Sequence, residues 1–370
     1  MAAPLKDNFG PDVPRRIAEA IAVVRPGFPV RRFLADALAG YEDLELMPRD
    51  RHIARALHGH LPADYDEAIE ILLASLDPLT GNEEPTGMAA FVYMPHVFYV
   101  ADYGLDHWDT SMKAQYELTQ RSTAEYSIRA FLEHEPARTL ARLREWTADP
   151  SPDVRRLVSE GTRPRLPWAP RLRQFQLDPT PVLELLELLK DDASLYVRRS
   201  VANNLNDIGK DHPEVLVATC RRWMEDAGEE RRWLIRHALR SAVKRGDRPA
   251  LEVLGFGARG PVEVEGLTMN PRKPRIGETV RISFALLNSA RDRAAFNVDL
   301  RVHFVKASGD ASPKVFRVRE ITLQPGERSG MSKLVSLRQQ TTRTHYKGRH
   351  DVEVVVNGVA RARDSFLLLG

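Results

Sequence analysis

Residues 192–213 read DASLYVRRSVANNLNDIGKDHP, and the spacing of their apolar residues predicts a helix from Leu195 to Ile208. At 3.6 residues per turn, one side of that helix carries an apolar stripe of Val197, Val201, Leu205 and Ile208. The other side gathers polar groups, namely Tyr196, Arg199, Asn203, Asn206 and Asp207. Since a polar helix face is more often solvated than functional, spacing alone leaves both interpretations open.

Repetition of this signature favours the functional interpretation. Residues 149–161 read DPSPDVRRLVSEG, and their Arg155 matches Arg198 at an offset of 43 residues. A looser third copy, IRHAL at residues 235–239, follows the second by 38 residues. Periods of roughly 40 residues are typical of paired-helix solenoids, so a mostly α-helical repeat solenoid is predicted. When the first two copies are aligned, Arg156 and Glu160 of the first fall on the same polar face as Arg199, Asn203 and Asp207 of the second. We call this combined surface the polar wall.

Charge is distributed unevenly along the chain. The 370 residues have a formal net charge of +3, but residues 261–370 hold 19 basic and 11 acidic residues. A basic carboxyl-terminal part predicts a polyanionic partner. The single cysteine, Cys220, excludes an internal disulfide, and no stretch resembles a signal peptide or a membrane span. We therefore expect a cytoplasmic protein.

Proline interrupts the repeats between Gly161 and Asp178, where the chain reads TRPRLPWAPRLRQFQLD. Three prolines around Trp168 prevent a helix and predict a stiff loop. That loop would present the indole ring together with Arg163, Arg165, Arg171 and Arg173. Arginines beside an aromatic plane suit nucleic acid, whereas a Trp168 ring that fills a gap between repeats is an equal alternative.

Two segments further upstream are expected to be scaffold. Residues 88–109 contain six Phe, Tyr and Trp side chains, which more often form a packed seam than a surface for stacking bases. One long helix is predicted from Ser111 to Leu132. Within it, Glu125 and Arg129 would form an intrahelical ion pair.

Alternating apolar and polar residues replace the helical pattern after Gly260. Seven short strands are predicted, at Val262–Leu267, Thr279–Asn288, Phe296–Val305, Val315–Leu323, Met331–Leu337, His350–Asn357 and Val359–Leu367. Asn357-Gly358 is a strong signal for a hairpin turn. We expect a small antiparallel β-sandwich of immunoglobulin-like architecture. The predicted domains are a helical domain of residues 1–257 and a basic sandwich of residues 261–370.

The sequence lacks the common motifs of cofactor and metal chemistry. It has no glycine-rich dinucleotide fingerprint, phosphate-binding loop, HExxH or GxSxG sequence, and no Cys or His set at zinc spacing. We therefore expect no cofactor and no metal. Without any resemblance, a helical array with a basic appendage would be a nucleic-acid-binding or protein-interaction scaffold, and this non-catalytic alternative stays open.

Three stretches carry a resemblance to a known family: residues 197–213, MPHVFYVADYGLDHW at residues 94–108, and LTQRSTAEYSIRAFL at residues 118–132. With PLKDNF at residues 4–9, they make residues 4–255 similar to the DNA alkylation repair glycosylases of the HEAT-like repeat superfamily, in the AlkC branch. The sandwich resembles an extra domain found in part of that branch. The resemblance implies hydrolysis of the N-glycosidic bond of cationic alkylated bases, such as 3-methyladenine, in duplex DNA without a fully enclosed base pocket.

The resemblance also implies roles for individual residues. Asp207 would be the main catalytic carboxylate, Glu160 would cooperate or contact the cationic base, and Glu125 would be catalytic or only structural. The implied substrate and DNA contacts are Trp168, Arg156, Arg163, Arg165, Arg199, Asn203 and Tyr196. The expected partner is alkylated double-stranded DNA, bound by a monomer that needs no membrane or nucleotide cofactor. The protein would be cytoplasmic in a bacterium and associate with the nucleoid when bound to DNA, with the sandwich contacting the duplex.

Overall fold

A computed structural model describes residue 6 and residues 9–78, 91–257, 261–340 and 343–370. The chain forms two compact units, one of Met1–His212 with Gly228–Ala238 and one of Pro213–Ala227 with Leu239–Gly370. The second unit therefore contains helices as well as the carboxyl-terminal strands. The predicted domain boundary between residues 257 and 261 stays a prediction. Within the described ranges, no helix combines the length and hydropathy that a bilayer span requires.

The chain before the strands is helical, as predicted. Fifteen α-helices lie within its described residues: α1 (Asp12–Val24), α2 (Val30–Leu38), α3 (Leu46–His60), α4 (Tyr65–Ala74), α5 (Met94–Tyr103), α6 (Trp108–Thr119), α7 (Ser127–His134), α8 (Pro136–Trp146), α9 (Pro152–Gly161), α10 (Arg173–Leu177), α11 (Thr180–Leu189), α12 (Leu195–Ile208), α13 (Pro213–Met224), α14 (Glu229–Arg245) and α15 (Arg248–Val253). A 3₁₀ turn, Tyr41–Asp43, precedes α3. Proline in the first turn begins several of these helices, where its missing N–H breaks no helical hydrogen bond.

Helix α12 has the predicted bounds, and its predicted apolar stripe is buried. The side chains of Val197, Val201, Leu205 and Ile208 are at most 1% exposed. In the described part of the aromatic segment, Tyr93, Phe98, Tyr99 and Trp108 are also buried, while Phe91 and Tyr103 are half-buried. Residues 88–90 of that segment lie outside the described residues. The 3.6-residue period therefore identified the core side of α12 correctly.

The repeated sequence signature builds the same local structure twice. In each copy an aspartate accepts the N–H two residues later, and the first arginine of the pair donates to two carbonyls of the preceding turn. The residues are Asp149, Pro150, Ser151 and Arg155 in one copy and Asp192, Ala193, Ser194 and Arg198 in the other. Consequently α9 begins at Pro152 and α12 at Leu195, which preserves the 43-residue offset. Arg155 also pairs with Asp192 at 2.6 and 3.0 Å, which ties the two copies together.

The single long helix predicted from Ser111 to Leu132 is wrong. Helix α6 ends at Thr119, and α7 begins only at Ser127. Local side-chain bonds explain the break: Arg121 donates to the Glu117 carbonyl, and Thr123 both accepts the N–H of Glu125 and donates to its carboxylate. Such bonds compete with helix continuation, because they satisfy backbone groups in a turn.

The proline-rich segment is only partly the loop that its sequence predicts. Residues 162–172 contain no helix, but Arg173–Leu177 form the short helix α10. The last proline of the segment before this turn is Pro170, so nothing prevents helical hydrogen bonds beyond Leu172. Phe175 of α10 is buried and anchors the turn in the core.

Seven antiparallel strands form two sheets in the described residues of the carboxyl-terminal part, as predicted. The strands are β1 (Val262–Asn270), β2 (Thr279–Asn288), β3 (Ala294–Val305), β4 (Ala311–Leu323), β5 (Arg328–Ser336), β6 (Gly348–Val356) and β7 (Val359–Leu368). Their orders are β1-β2-β5 and β4-β3-β6-β7. The core includes Ile282, Phe296, Val302 and Val354. Asn357 and Gly358 join β6 to β7 with φ angles of 47° and 79°, the left-handed values that this two-residue hairpin needs.

Two leucines of α12 offer a matched test of this packing. Leu205→Ala should lower the free energy of unfolding by about 2–5 kcal/mol, because Leu205 is fully buried and its truncation leaves a cavity. Leu195→Ala should cost less than about 0.5 kcal/mol, because Leu195 is 44% exposed. Urea unfolding measures both values. Equal losses would mean that the assigned core side of α12 is wrong.

Candidate active site

Three carboxylates that the sequence singled out are buried in the first compact unit. Glu125 precedes α7, Glu160 lies in the last turn of α9, and Asp207 lies in the last turn of α12. They are only 8%, 6% and 1% exposed. Buried carboxylates are costly unless each one is paired or hydrogen bonded, so their partners define the site.

The guanidinium of Arg163 bridges two of these carboxylates. Its Nε donates to Asp207 Oδ2 at 2.8 Å, and its Nη1 donates to Glu160 Oε1 at 2.6 Å. Arg163 is itself buried. The planar fork of an arginine suits two simultaneous charge-assisted bonds. Arg163 was predicted to grip a phosphate, but here it points at two carboxylates, because the loop that carries it folds back onto α9 and α12.

Arg156 holds the third carboxylate. Its Nη1 lies 2.7 Å from Glu125 Oε2, and its Nη2 lies 3.8 Å from Glu160 Oε1. The guanidinium also sits over the ring of Tyr196, 5.0 Å from the centroid. Burial by itself would lower the pKa of Arg156, but the charges of Glu125 and Glu160 raise it above its usual value. Arg156 therefore stays charged inside the site, and it too faces carboxylates rather than solvent.

Glu160 is surrounded by two guanidinium groups and one hydroxyl group. Burial raises its pKa, but Arg156 and Arg163 together lower it below its usual value of 4.5. Ser200 also donates to Glu160 Oε2 at 2.5 Å, which further favours the charged form. Glu160 is therefore an ionised group at neutral pH although it is almost fully buried.

Three further polar side chains complete the site, and the sequence analysis did not select them. Thr123 donates to Glu125 Oε2 at 2.5 Å, Ser200 donates to Glu160, and Lys210 donates to Asp207 Oδ1 at 2.7 Å. Ser200 lies four residues after Tyr196 on the polar wall of α12, so helical periodicity could have identified it. Lys210 follows Asp207 by three residues, a weaker signal. Thr123 lies in an irregular turn and carries no periodic signal.

The other predicted contacts lie around this cluster. Arg165 pairs with Asp211, and Asn203 contacts His237 Nε2 at 3.1 Å. Arg199 is exposed. Asn206 does not join the polar wall, because its amide is buried and donates to the carbonyl of Ala238 at 2.6 Å.

The predicted ion pair between Glu125 and Arg129 is wrong. The Arg129 guanidinium donates instead to the carbonyls of Gly161, Arg163 and Pro170. It thereby fixes both ends of the loop that carries Trp168. Glu125 takes Arg156 as its cation, because it lies before α7 rather than one helical turn from Arg129.

Trp168 is exposed beside a large cavity. Its side chain is 58% exposed, and its φ of 63° is in the left-handed region, which is strained for a residue with a side chain. A largely apolar cavity of about 610 Å³ is lined by Trp168, Tyr126, Phe98, Arg129 and residues of α3. None of the three carboxylates lines that cavity. Among the described residues, no group of three His, Cys, Asp or Glu side chains is arranged to hold a metal.

Comparison with known proteins identifies the family. A solved structure of the Pseudomonas fluorescens alkylpurine DNA glycosylase AlkC, bound to DNA containing an abasic site analog, matches with a TM-score of 0.92 and 38% identity over 100% of both chains.

This chain belongs to the AlkC family.

Two further matches agree with that assignment. The AlkC-family chain is 36% identical over 357 residues to Uncharacterized protein YhaZ of Bacillus subtilis (strain 168), which covers 96% of this chain and 97% of that protein. A family profile described as Uncharacterised protein YhaZ, C-terminal Ig-like domain, matches residues 263–370. The immunoglobulin-like architecture that the strand pattern predicted is therefore confirmed.

Loss of the bridge formed by Arg163 should strongly destabilise the protein. Arg163→Met should lower the free energy of unfolding by about 3–5 kcal/mol, because it strips a cation from two buried carboxylates. Arg165→Met is the control, since its pair with Asp211 is about one-fifth exposed, and it should cost about 1 kcal/mol or less. Chemical denaturation compares the two. A loss for Arg163→Met as small as that of the control would show that the bridge contributes little.

Proposed function

We propose that this chain is a DNA repair glycosylase that hydrolyses the N-glycosidic bond of cationic alkylated bases of the 3-methyladenine class in duplex DNA. The observation that carries the proposal is the cluster of three buried, cation-paired carboxylates in a chain 38% identical to the Pseudomonas fluorescens alkylpurine DNA glycosylase AlkC. That relative's structure contains DNA with an analog of an abasic site, and an abasic site is what remains after a base has been released.

The positive charge of the substrate explains why carboxylates can catalyse the reaction without a general acid. An alkylated base already carries positive charge, so it leaves with the electron pair of the N-glycosidic bond and needs no proton from an acid. The sugar becomes oxocarbenium-like, and a water oxygen then bonds to C1′ while its proton is released. Asp207 stabilises the developing positive charge and orients the water. Glu160 lies on the same wall and cooperates through the shared Arg163.

The positioning of Asp207 depends on the residues around it. Arg163 fixes Asp207 and Glu160 in one geometry, and Arg156 fixes Glu125 beside them. Reacting groups held in place lower the barrier, because less ordering remains to be done when the substrate binds. In this proposal Glu125 is catalytic through its negative charge, and Arg156 and Arg163 position the carboxylates rather than gripping phosphates.

The surface residues account for DNA contact. Trp168 offers an exposed ring for the deoxyribose or base, where its π-face favours positive charge. Arg199 and Arg165 supply charge for phosphates, and Asn203 and Tyr196 flank them. Since the carboxylates do not line the cavity beside Trp168, we propose that they act on DNA at an open wall and not within an enclosed base pocket.

The basic sandwich is the second proposed DNA contact. Within the second compact unit, a cleft of about 740 Å³ is lined by Lys244, Arg245, Arg301, Lys314 and Arg343. Burial, Arg343 and Lys244 lower the pKa of Lys314, so its charge is poorly compensated there. Phosphates would supply that compensation and release counterions from the duplex.

The partner is alkylated double-stranded DNA, bound by a monomer in the cytoplasm. Cys220 is a buried free thiol, which suits a reducing compartment. DNA in a bacterium lies in the same compartment, so association with the nucleoid follows from the proposed activity.

Removal of one charge tests the reaction. Asp207→Asn should keep the side-chain shape and reduce release of 3-methyladenine from alkylated duplex by about 100-fold or more, because the transition state loses its nearest anion. Asp211→Asn is the matched control, since Asp211 lies one turn away and pairs with Arg165. The measurement is free base released under single-turnover conditions.

If the intact protein binds DNA with strong salt dependence but releases no base, it is a non-catalytic DNA-binding repeat protein. Binding without salt dependence would instead indicate a protein-interaction scaffold.

Loss of positive charge from the cleft of the second compact unit should change the salt dependence of DNA binding. The double variant Lys314→Gln, Arg343→Gln should flatten the slope of log affinity against log salt concentration by about 1.8, as expected for two lost phosphate contacts. The control Arg281→Gln, Lys333→Gln removes the same charge from β2 and β5 of the other sheet and should keep the slope. Fluorescence anisotropy with a labelled duplex measures both, and identical slopes would contradict DNA binding in this cleft.

A further inference from the structure

Both oxygens of the Asp207 carboxylate are occupied in this structure. Oδ2 accepts the Nε–H of Arg163 and lies 2.7 Å from its Nη2, while Oδ1 accepts a hydrogen bond from Lys210 Nζ at 2.7 Å. A carboxylate that stabilises a cationic sugar and orients water needs an oxygen open to the substrate. Each oxygen keeps a second lone pair that could accept a hydrogen bond from water, but the two cations offset the negative charge that would stabilise the sugar. The reaction is therefore favoured when one of the two cations leaves Asp207.

The two cations differ in their freedom to move. The Arg163 side chain is 10% exposed and is also held by Glu160 at 2.6 Å, so its departure would strand two buried carboxylates. The Lys210 side chain is 43% exposed and lies just beyond the end of α12. Among the described residues, Asp207 is the only acidic group with which Lys210 pairs. Lysine carries its charge on a flexible stem, so Lys210 is the cation that can leave at low cost.

The charge balance of the site explains why departure of Lys210 would favour the reaction. Three carboxylates, Glu125, Glu160 and Asp207, are contacted by three cations, Arg156, Arg163 and Lys210. The closed cluster is therefore neutral. Departure of Lys210 leaves one net negative charge beside the position of a cationic base and an oxocarbenium-like sugar, and a negative charge stabilises both.

We infer that Lys210 is a latch on Asp207. In the free protein its ammonium covers Oδ1, and in the DNA complex it transfers to a backbone phosphate and uncovers that oxygen. Lys210 is thus a positioning residue that makes the charge of the site depend on bound DNA. The inference rests on the proposed function and deepens it, since it states how the site becomes active.

The experiment compares Lys210→Met with Lys190→Met in the full-length protein. Lys190 is a matched control, because it also follows a helix and pairs with a carboxylate three residues before it, Glu187. The first measurement is binding to undamaged duplex across a series of salt concentrations. Lys210→Met should flatten the slope of log affinity against log salt by about 0.9, one phosphate contact, while Lys190→Met keeps it. Lys210→Arg should restore the slope.

The second measurement is single-turnover release of 3-methyladenine at saturating enzyme. Lys210→Met should give a rate equal to that of the wild type if Lys210 transfers fully in the complex, and about two-fold higher if it transfers in half of the complexes, because Asp207 is uncovered in every complex of the variant. Weaker binding without a slower reaction is the combined result that distinguishes the latch from a lysine that only supports the structure of the site. Lys210→Gln is a second neutral variant, and unfolding curves verify that each protein is folded.

Two results would overturn the latch. A salt slope equal to that of the wild type means that Lys210 does not reach a phosphate. A flattened slope with a rate about ten-fold lower means that Lys210 is needed on Asp207 during the reaction. If the wild type releases no base, the proposed function fails by itself, and the salt slope still decides whether Lys210 contacts DNA.

Discussion

The buried guanidinium of Arg163 is the constraint on which the candidate site depends. It joins Glu160 of α9 to Asp207 of α12, at 2.6 and 2.8 Å, so two repeat copies share one cation. Ions buried this deeply are tolerated only when their geometry is good, because desolvation otherwise exceeds the attraction. The two helices must therefore keep their rotation relative to each other. A shift of one residue would turn Asp207 by about 100° and remove it from Arg163.

The interface between the repeat copies holds that rotation through polar contacts as well as apolar packing. Arg155 pairs with Asp192 near the beginning of the two helices, and Ser200 in the middle of α12 donates to Glu160 in the last turn of α9. Asn204 donates to the carbonyl of Ser159 at 2.8 Å. These bonds have fixed directions, whereas apolar contacts tolerate sliding. The seam that stacks the repeats is thus also the structure that positions the carboxylates, and stability and chemistry share the same residues.

The loops supply what the two helices lack. Arg129 binds three carbonyls at the ends of the segment that carries Trp168, so a buried cation holds the loop in which Trp168 has a strained backbone and an exposed ring. Glu125 reaches the site from a turn that Thr123 stabilises. Both loops are positioned by side-chain bonds to backbone groups, and such bonds leave no periodic pattern in the sequence.

The sequence by itself determined the helical repeats, their 43-residue offset, the buried side of α12, the seven strands and the Asn357-Gly358 hairpin. Each of these follows from local periodicity or from the backbone angles that a residue permits, and both act over a few neighbouring residues. Three carboxylates were selected with the help of a family resemblance. Only the tertiary structure decided their distant partners: Arg156 rather than Arg129 for Glu125, and Arg163 for Asp207. The physical reason is that a buried charge takes whichever opposite charge the packing brings to it, and residues 44 positions apart meet only when the repeats stack.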